Sequence, residues 1–138
     1  MKKTFLLGLD EMDVLAEEIA KKFTNGVIVL RGDLAAGKTT LVKKTVKFLG
    51  VDEEVTSPTF SLQHRYGDKV FHYDMYNHGL EHFISLGMLE ELEKDGLHFV
   101  EWGDDELVKI LDSASIETMT IDIKKISDNK REYEVCTH

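Results

Sequence analysis

A glycine-bounded loop between an apolar run and an amphipathic segment constrains this sequence more than any other feature. Residues 32–40 read GDLAAGKTT and follow the apolar run VIVL at 27–30, with Arg31 between the two. A continuous β-branched run is typical of a strand buried on both faces of a parallel sheet. Residues 39–49 have helical spacing and end at Gly50, a common helix terminator. The order strand, glycine loop, helix predicts an α/β fold with a phosphate-binding loop.

The pattern Gly-x-x-x-x-Gly-Lys-Thr places each residue type where a phosphate needs it. Glycines let backbone N–H groups and a helix N-terminus curl around the anion. Lys38 would reach the β- and γ-phosphates, and the Thr39 hydroxyl would ligate Mg²⁺. A simple glycine turn would not explain this Lys-Thr pair. The predicted nucleotide-binding residues are Gly32, Asp33, Leu34, Ala35, Ala36, Gly37, Lys38, Thr39 and Thr40.

A nucleotide hydrolase with this loop also needs a carboxylate near the metal, usually at the end of a neighbouring strand. Glu101 ends the apolar run LHFV at 97–100, and Asp74 lies on a predicted hairpin. The residues alone leave both carboxylates open as the metal or catalytic group. Trp102 follows Glu101 and is either a core residue or an aromatic that meets a ligand or partner.

Residues 59–66 and 69–76 alternate apolar and polar side chains around Gly67-Asp68, which predicts a β-hairpin with a two-residue turn. That turn pairs Tyr66 with Lys69. One face would carry Phe60, Leu62, Phe71, Tyr73 and Met75. The other face would carry Thr59, Ser61, Gln63, His72 and Asp74 and would contact solvent or a ligand.

The flanks supply the other elements. A strand is predicted over 4–7, then a helix with Asp10 as N-cap, a staple between Leu9 and Val14, and Gly26 as terminator. A helical pattern over 80–94 is divided by Gly87, and 97–102, 116–126 and 131–136 are predicted strands around a helix over 104–111. At 138 residues, one domain over 1–138 is expected. The predicted fold has three layers and a mixed, mainly parallel central sheet.

Charge and composition exclude several classes of function. A formal net charge of −9, with 17 Lys and Arg against 26 Asp and Glu, disfavours direct nucleic-acid binding. The longest apolar runs are far shorter than the ~20 residues that span a bilayer. No export segment is expected, and the one cysteine, Cys136, suits a reducing compartment. The chain is therefore expected in the cytoplasm.

Two further motifs each have a functional and an ordinary structural interpretation. The segment TSPTF at 56–60 contains the chain's one proline and is either a nucleotide-sensing switch or an ordinary turn. His78 and His82 have the i, i+4 spacing of metal ligands, but no glutamate completes an HExxH pattern. Both are interpreted as surface histidines.

Four motifs together, GDLAAGKTT, TSPTFSL, HYDMY and FVEWGDD, resemble the TsaE (YjeE) family, the small ATPase of bacterial tRNA threonylcarbamoyladenosine biosynthesis. The resemblance implies a P-loop NTPase fold, ATP and Mg²⁺ as cofactors, and weak intrinsic hydrolysis. It also implies that a complex with TsaD and TsaB installs threonylcarbamoyl on adenosine 37 of tRNAs reading ANN codons, so that tRNA is met only through the complex.

The same resemblance implies roles for individual residues. Lys38, Glu101, Asp74 and Thr59 would be catalytic, with Thr59 in the switch. Thr39 and Glu101 would hold the metal, and Trp102 would contact the cofactor. The sequence departs from the family pattern at Ala35, Asn77 and Asp13, where members usually carry glycine, arginine and a hydroxyl residue.

Two other functions share the loop. A small P-loop kinase acting on a small molecule or nucleoside would need a lid with basic residues, and Arg31, Arg65 and Arg131 are the only arginines. A binding module without turnover would need no catalytic carboxylate. Glu101 and Asp74 therefore favour a nucleotide hydrolase.

Overall fold

The fold is taken from a computed structural model that describes residues 2–32, 37–51, 63–76 and 79–138. Within them the strands are β1 Lys2–Gly8, β2 Gly26–Arg31, β3 Gln63–Tyr66, β4 Val70–Asp74, β5 Leu97–Glu101, β6 Thr118–Lys125 and β7 Lys130–Thr137. The helices are α1 Met12–Lys22, α2 Lys38–Phe48, α3 Leu80–Ser85, α4 Met88–Leu92 and α5 Asp105–Ser113. Gly87, at φ 77°, separates α3 from α4 as predicted.

The strands form one seven-stranded sheet in the order β1-β7-β6-β2-β5-β4-β3. The strands β6, β2, β5 and β4 are parallel neighbours. The other three pairings, β1 with β7, β7 with β6 and β4 with β3, are antiparallel. The prediction of a mixed sheet is confirmed, but the sheet is not mainly parallel. Short turns join β3 to β4 and β6 to β7, and a connection without a crossover helix forces antiparallel pairing.

Helices cover both faces of the sheet, as the three-layer prediction requires. Buried residues of α1 and α2, among them Leu15, Ile19 and Leu41, share one apolar core with Ile28 and Phe99 of the sheet. A second core lies on the opposite face and includes Val29, Val100, Phe83, Leu92 and Leu107, which joins α3, α4 and α5 to the sheet. The central strands are buried on both faces, and this explains their continuous apolar runs.

The start of α1 differs from the prediction. A 3-10 turn over Leu9–Glu11 precedes α1, and the Gly8 N–H donates to the Glu11 carboxylate at 2.8 Å. Asp10 therefore lies inside the first turn and is not the N-cap. Val14 is exposed, so the predicted staple does not bury it. Gly26 does not end α1 but begins β2, and three residues separate it from Lys22, the last residue of α1.

The hairpin register also differs from the prediction. Tyr66 pairs with Val70, not Lys69, because the turn contains three residues. Gln63 consequently shares a face with Tyr73, to whose hydroxyl its amide donates at 3.2 Å. His72 is fully buried instead of facing solvent, since β4 lies between β3 and β5. Phe71, Tyr73 and Met75 lie in one core as predicted, whereas 59–62 lie outside the described residues.

None of the helices in the described parts of the chain is long and apolar enough to cross a membrane.

Candidate functional site

The candidate site lies at the carboxyl ends of three parallel neighbours, β2, β5 and β4. Leu30 pairs with Glu101, and Glu101 pairs with Asp74. In open α/β sheets, ligands bind in the crevice outside the carboxyl ends of the strands. The sheet register therefore brings both predicted carboxylates to the edge where the glycine loop leaves β2.

Gly37 sets the start of α2. It is the N-cap of that helix, with φ 98° and ψ 23°. Any residue with a Cβ at this position would have to adopt a left-handed conformation, and its Cβ would lie 3.3 Å from Met12 Cε. Glycine therefore lets the chain turn into α2, and the first N–H groups of a helix, which lack partners within it, are a common site for anions.

Lys38, the first residue of α2, is 3% exposed. Its Nζ donates to the Gly32 carbonyl at 2.8 Å and lies 3.9 Å from the centroid of the Trp102 ring. A cation over an indole face is stabilised by the ring quadrupole. The ammonium group is thus held between the start of the loop and the residue that follows β5.

Glu101, the last residue of β5, is 4% exposed. The Thr39 hydroxyl donates to Glu101 Oε2 at 3.1 Å and lies 3.4 Å from Oε1. His72 Nε2 forms a hydrogen bond with the same Oε2 atom. His72 Nδ1 in turn lies 3.3 Å from the Tyr66 hydroxyl. A chain of polar contacts therefore runs from α2 through β5 to β4 and β3.

Asp74 is half-buried at the end of β4. One of its carboxylate oxygens accepts the Tyr76 N–H at 2.8 Å, the local turn that aspartate commonly makes. Asp74 is level with Glu101 in the sheet, yet the described contact with Thr39 is made by Glu101.

Trp102 leaves β5 with an unusual backbone conformation for a non-glycine residue, φ 68°. Its N–H donates to the Leu30 carbonyl at 2.8 Å, and its ring lies 4.9 Å from that of Tyr76. The side chain is partly buried against the second core. Trp102 therefore packs on the core, as one of its two interpretations expects, and it also contacts Lys38, whereas its contact with a ligand or partner stays a prediction.

Arg31 fixes the segment after Trp102 to the end of β2. Its Nε donates to the Gly103 carbonyl at 3.0 Å, and its guanidinium lies 2.9 Å from an Asp105 carboxylate oxygen. Beside it is an open cleft of about 460 Å³, lined by Arg31, Gly32, Trp102, Gly103, Asp104 and Asp105. The cleft adjoins the beginning of the glycine loop.

The other predicted site residues are placed as follows. Thr40 is exposed on α2, one residue beyond Thr39. Asp33, Leu34, Ala35, Ala36 and Thr59 lie outside the described residues. His82 is exposed on α3, and His78 lies outside the described ranges.

Sequence reasoning missed His72 and Tyr76 as neighbours of the site. The predicted hairpin places His72 on a polar face that contacts solvent or a ligand, although HYD at 72–74 ends the largely apolar strand β4. Reading 70–73 as a strand buried on both faces would have placed its histidine beside another strand's polar end.

Across 2–32, 37–51, 63–76 and 79–138, no group of three or more His, Cys, Asp or Glu side chains could hold a metal ion. The predicted magnesium site has only two protein ligands, Thr39 and Glu101. Such a site needs no larger cluster because Mg²⁺ usually keeps several waters and is completed by substrate phosphates.

Comparisons with known proteins identify the family. The family model of the threonylcarbamoyl adenosine biosynthesis protein TsaE matches residues 8–133. The chain is 38% identical over 112 residues to the tRNA threonylcarbamoyladenosine biosynthesis protein TsaE of Treponema pallidum, covering 79% of this chain and 80% of that relative. It is 30% identical over 135 residues to the protein of the same name from Rickettsia felis, covering 94% and 76%.

The fold is similar to a solved structure as well. The crystal structure of Bacillus subtilis YdiB superposes with a TM-score of 0.70 at 27% sequence identity, covering 98% of this chain and 86% of that one.

The fold and the site define an α/β protein with a glycine-bounded strand-to-helix connection at the carboxyl edge of a mixed sheet. The chain belongs to the TsaE family, which acts in the biosynthesis of threonylcarbamoyladenosine in tRNA. The family resemblance drawn from the four sequence motifs is confirmed.

Proposed function

We propose that this chain is an ATP-binding and weakly hydrolysing subunit that supports threonylcarbamoylation of adenosine 37 in ANN-decoding tRNAs. It would do so with TsaD and TsaB in the cytoplasm. The arrangement of Lys38 carries the proposal. This lysine is buried at the start of α2, and its ammonium group donates to the carbonyl of Gly32, the first residue of the glycine loop. The next residue, Thr39, donates its hydroxyl to Glu101.

The residues present fit ATP and Mg²⁺. A buried ammonium group beside a glycine loop is a cationic partner for phosphate, and the first N–H groups of α2 add donors. Thr39 and Glu101 offer hydroxyl and carboxylate oxygens within 3.1 Å of each other, and oxygen is the donor that Mg²⁺ prefers. When bound, Mg²⁺ would supply charge neutralisation at the β- and γ-phosphate oxygens.

The chain's own residues would divide the work. Lys38 would give up its hydrogen bond to the Gly32 carbonyl and bind phosphate oxygens instead, while Trp102 keeps the lysine side chain aligned. Thr39 and Glu101 would hold the metal, and Glu101 or Asp74 would orient the attacking water. Thr59 would act in the switch segment that the resemblance assigns to it.

Weak turnover by the chain alone follows from its scarcity of arginines. Arg31 donates to Gly103 and pairs with Asp105, while Arg131 lies on β7, two strands from β2, and donates to the Ser127 carbonyl. Arg65 donates to the Asp68 carbonyl in the hairpin turn. An arginine that stabilises the transition state accelerates phosphoryl transfer by about 10³- to 10⁵-fold. We therefore infer that a partner protein completes the site.

ATP hydrolysis by the purified chain, alone and with TsaD, TsaB and tRNA, tests this function. We expect slow turnover by the chain alone and faster turnover in the assembly. Phosphorylation of a small-molecule or nucleoside acceptor without the partners would instead identify a kinase. ATP binding without turnover in either setting would identify a module in which ATP acts only as an assembly signal.

A further inference from the structure

We propose that His72 is a positioning residue that fixes the Glu101 carboxylate for its work at the nucleotide site. The consequence for Mg²⁺ rests on the proposed function, whereas the hydrogen bond itself belongs to the free protein. The described hydrogen bonds of the His72 ring go to Tyr66 and Glu101, and neither goes to Lys38. It acts through Glu101.

Burial makes this contact difficult to replace. The His72 side chain is fully buried, and Glu101 is 4% exposed. A buried carboxylate is costly unless hydrogen bonds satisfy its oxygens. Here Oε2 accepts hydrogen bonds from both the His72 imidazole and the Thr39 hydroxyl. Two donors from different elements therefore meet at one oxygen.

The acceptor chemistry determines the orientation of the ring. An ionised carboxylate only accepts hydrogen bonds, so His72 Nε2 carries the proton and donates to Glu101. In the neutral ring, Nδ1 is then an acceptor, and the Tyr66 hydroxyl donates to it across 3.3 Å. Tyr66 is itself fully buried in the core beneath α1 and α2. Both ring nitrogens are thus used, and neither a rotated ring nor the other tautomer satisfies the same contacts.

The sheet register explains why a residue of β4 reaches this carboxylate. His72 pairs with Phe99, two residues before Glu101, and lies on the same face of the sheet. Its ring extends diagonally toward the carboxyl end of β5. Hydrogen bonds of this kind orient metal-ligating carboxylates, and losing such a partner typically costs about 10- to 100-fold in metal affinity or activity.

The nucleotide-free protein provides the first test. With ¹⁵N-labelled histidine, NMR should show a protonated Nε2 on His72, with its proton shifted downfield and slow to exchange. Glu101→Gln should move that proton signal upfield because the acceptor loses its charge. An unprotonated Nε2, or a signal indifferent to Glu101→Gln, would overturn the proposal without any reference to ATP.

Variants provide the second test, read by the fluorescence of the chain's one tryptophan, Trp102. His72→Leu removes the donor, and His72→Gln keeps an N–H donor near the position of Nε2. We expect His72→Leu to raise the Mg²⁺ concentration for half of the ATP-dependent fluorescence change by about tenfold or more. His72→Gln should restore most of it. ATP affinity in EDTA should be unchanged in both.

His98→Leu is the matched control. His98 is also a fully buried histidine, but it lies on β5 in stacked contact with Phe71 and Tyr73, on the opposite face of the sheet. It should lose stability to a similar extent and keep the wild-type Mg²⁺ dependence. Equal Mg²⁺ dependence in His72→Leu and wild type, or a parallel change in His98→Leu, would refute a positioning role.

The two proposals fail in different ways. A wild-type chain that shows no response to ATP, alone or with its partners, would contradict the proposed function. The NMR result on the free protein would still decide the His72 contact. If His72→Leu does not fold, His72→Gln and the NMR comparison keep the inference open to refutation.

Discussion

The Lys38 ammonium nitrogen lies 3.9 Å from the centroid of the Trp102 indole ring, although the two residues follow different strands. Lys38 begins the helix after β2, and Trp102 directly follows β5. The strands are parallel neighbours, so their carboxyl ends place the two residues together. The positive φ of Trp102 turns its ring out of the strand direction at that point. The lysine is therefore held in place before any ligand arrives.

Lys38→Ala should lose most ATP affinity and turnover, because the cationic partner of the phosphates is removed. Hydrogen bonds to charged groups contribute about 1.5–3 kcal/mol, which corresponds to roughly 10- to 150-fold in the dissociation constant. Isothermal titration calorimetry would measure the change. Lys43→Ala, on the exposed side of the same helix, is the control and should bind ATP like wild type. Wild-type affinity in Lys38→Ala would refute the assignment.

Glu101→Gln should retain ATP binding and lose turnover. The substitution keeps the shape of the side chain but removes the charge that holds the metal and orients water. Single-turnover hydrolysis in the full assembly, measured beside binding, separates the two effects. Asp74→Asn is the comparison, since Asp74 is level with Glu101 in the sheet. Undiminished hydrolysis in Glu101→Gln with loss in Asp74→Asn would transfer the role to Asp74.

Short-range patterns in the sequence were sufficient to predict the two strands and the helix that surround the site. The β-branched run before Gly32, the helix after Gly37 and the strand that ends at Glu101 were all predicted in their observed places. Each rests on a pattern within about a dozen residues. Their meeting at one sheet edge follows from parallel pairing, which the same apolar runs indicate.

The register of the hairpin and the burial of His72 are features that short-range sequence patterns did not predict. Gly67-Asp68 suggested a two-residue turn, but Lys69 also belongs to the turn, so Tyr66 pairs with Val70. A shift of one residue exchanges the faces of a strand relative to its partner. The alternation within the hairpin did not predict the burial of His72 either, because that burial depends on β5, whose residues lie more than twenty positions away in the chain. The length of the turn decided the first outcome, and pairing with a distant strand decided the second.

Gly96→Ala should destabilise the fold by about 2–4 kcal/mol. Gly96 precedes β5 with φ +131°, and a Cβ there would lie 2.4 Å from the Lys69 carbonyl oxygen in the hairpin turn. Neither backbone can move easily, because the Leu97 N–H donates to that same carbonyl at 2.8 Å. Urea denaturation followed by circular dichroism would measure the loss.

Gly50→Ala is the matched control for this backbone effect. Gly50 also has a positive φ, +81°, but nothing lies within 4 Å of an added Cβ. The substitution should lower the free energy of unfolding only by the left-handed backbone strain of alanine, about 1–2 kcal/mol. Equal losses in the two variants would show that the close approach to Lys69 contributes nothing.

His98 should make the stability of the fold fall as the pH drops below about 7. Burial lowers the pKa of His98 below its ordinary value of 6.5. Its ring lies between the Tyr73 hydroxyl and the Lys94 carbonyl, each at 2.8 Å, so the neutral form with a proton on Nε2 satisfies both partners. In the window between the lowered pKa and 6.5, the unfolded chain binds more protons than the folded one, and stability therefore rises with pH.

His98→Gln should flatten this dependence, because glutamine stays neutral while its amide can still donate to Lys94. Urea denaturation of both proteins between pH 5 and 8 would measure the difference. Glu91 also lies near this network, and its hydrogen bond with Lys94 lowers its pKa from 4.5. Its contribution to stability is thus lost only as the pH falls below 4.5, outside the range between pH 5 and 8. A slope between pH 5 and 7 that is the same in wild type and His98→Gln would assign the pH dependence to other groups.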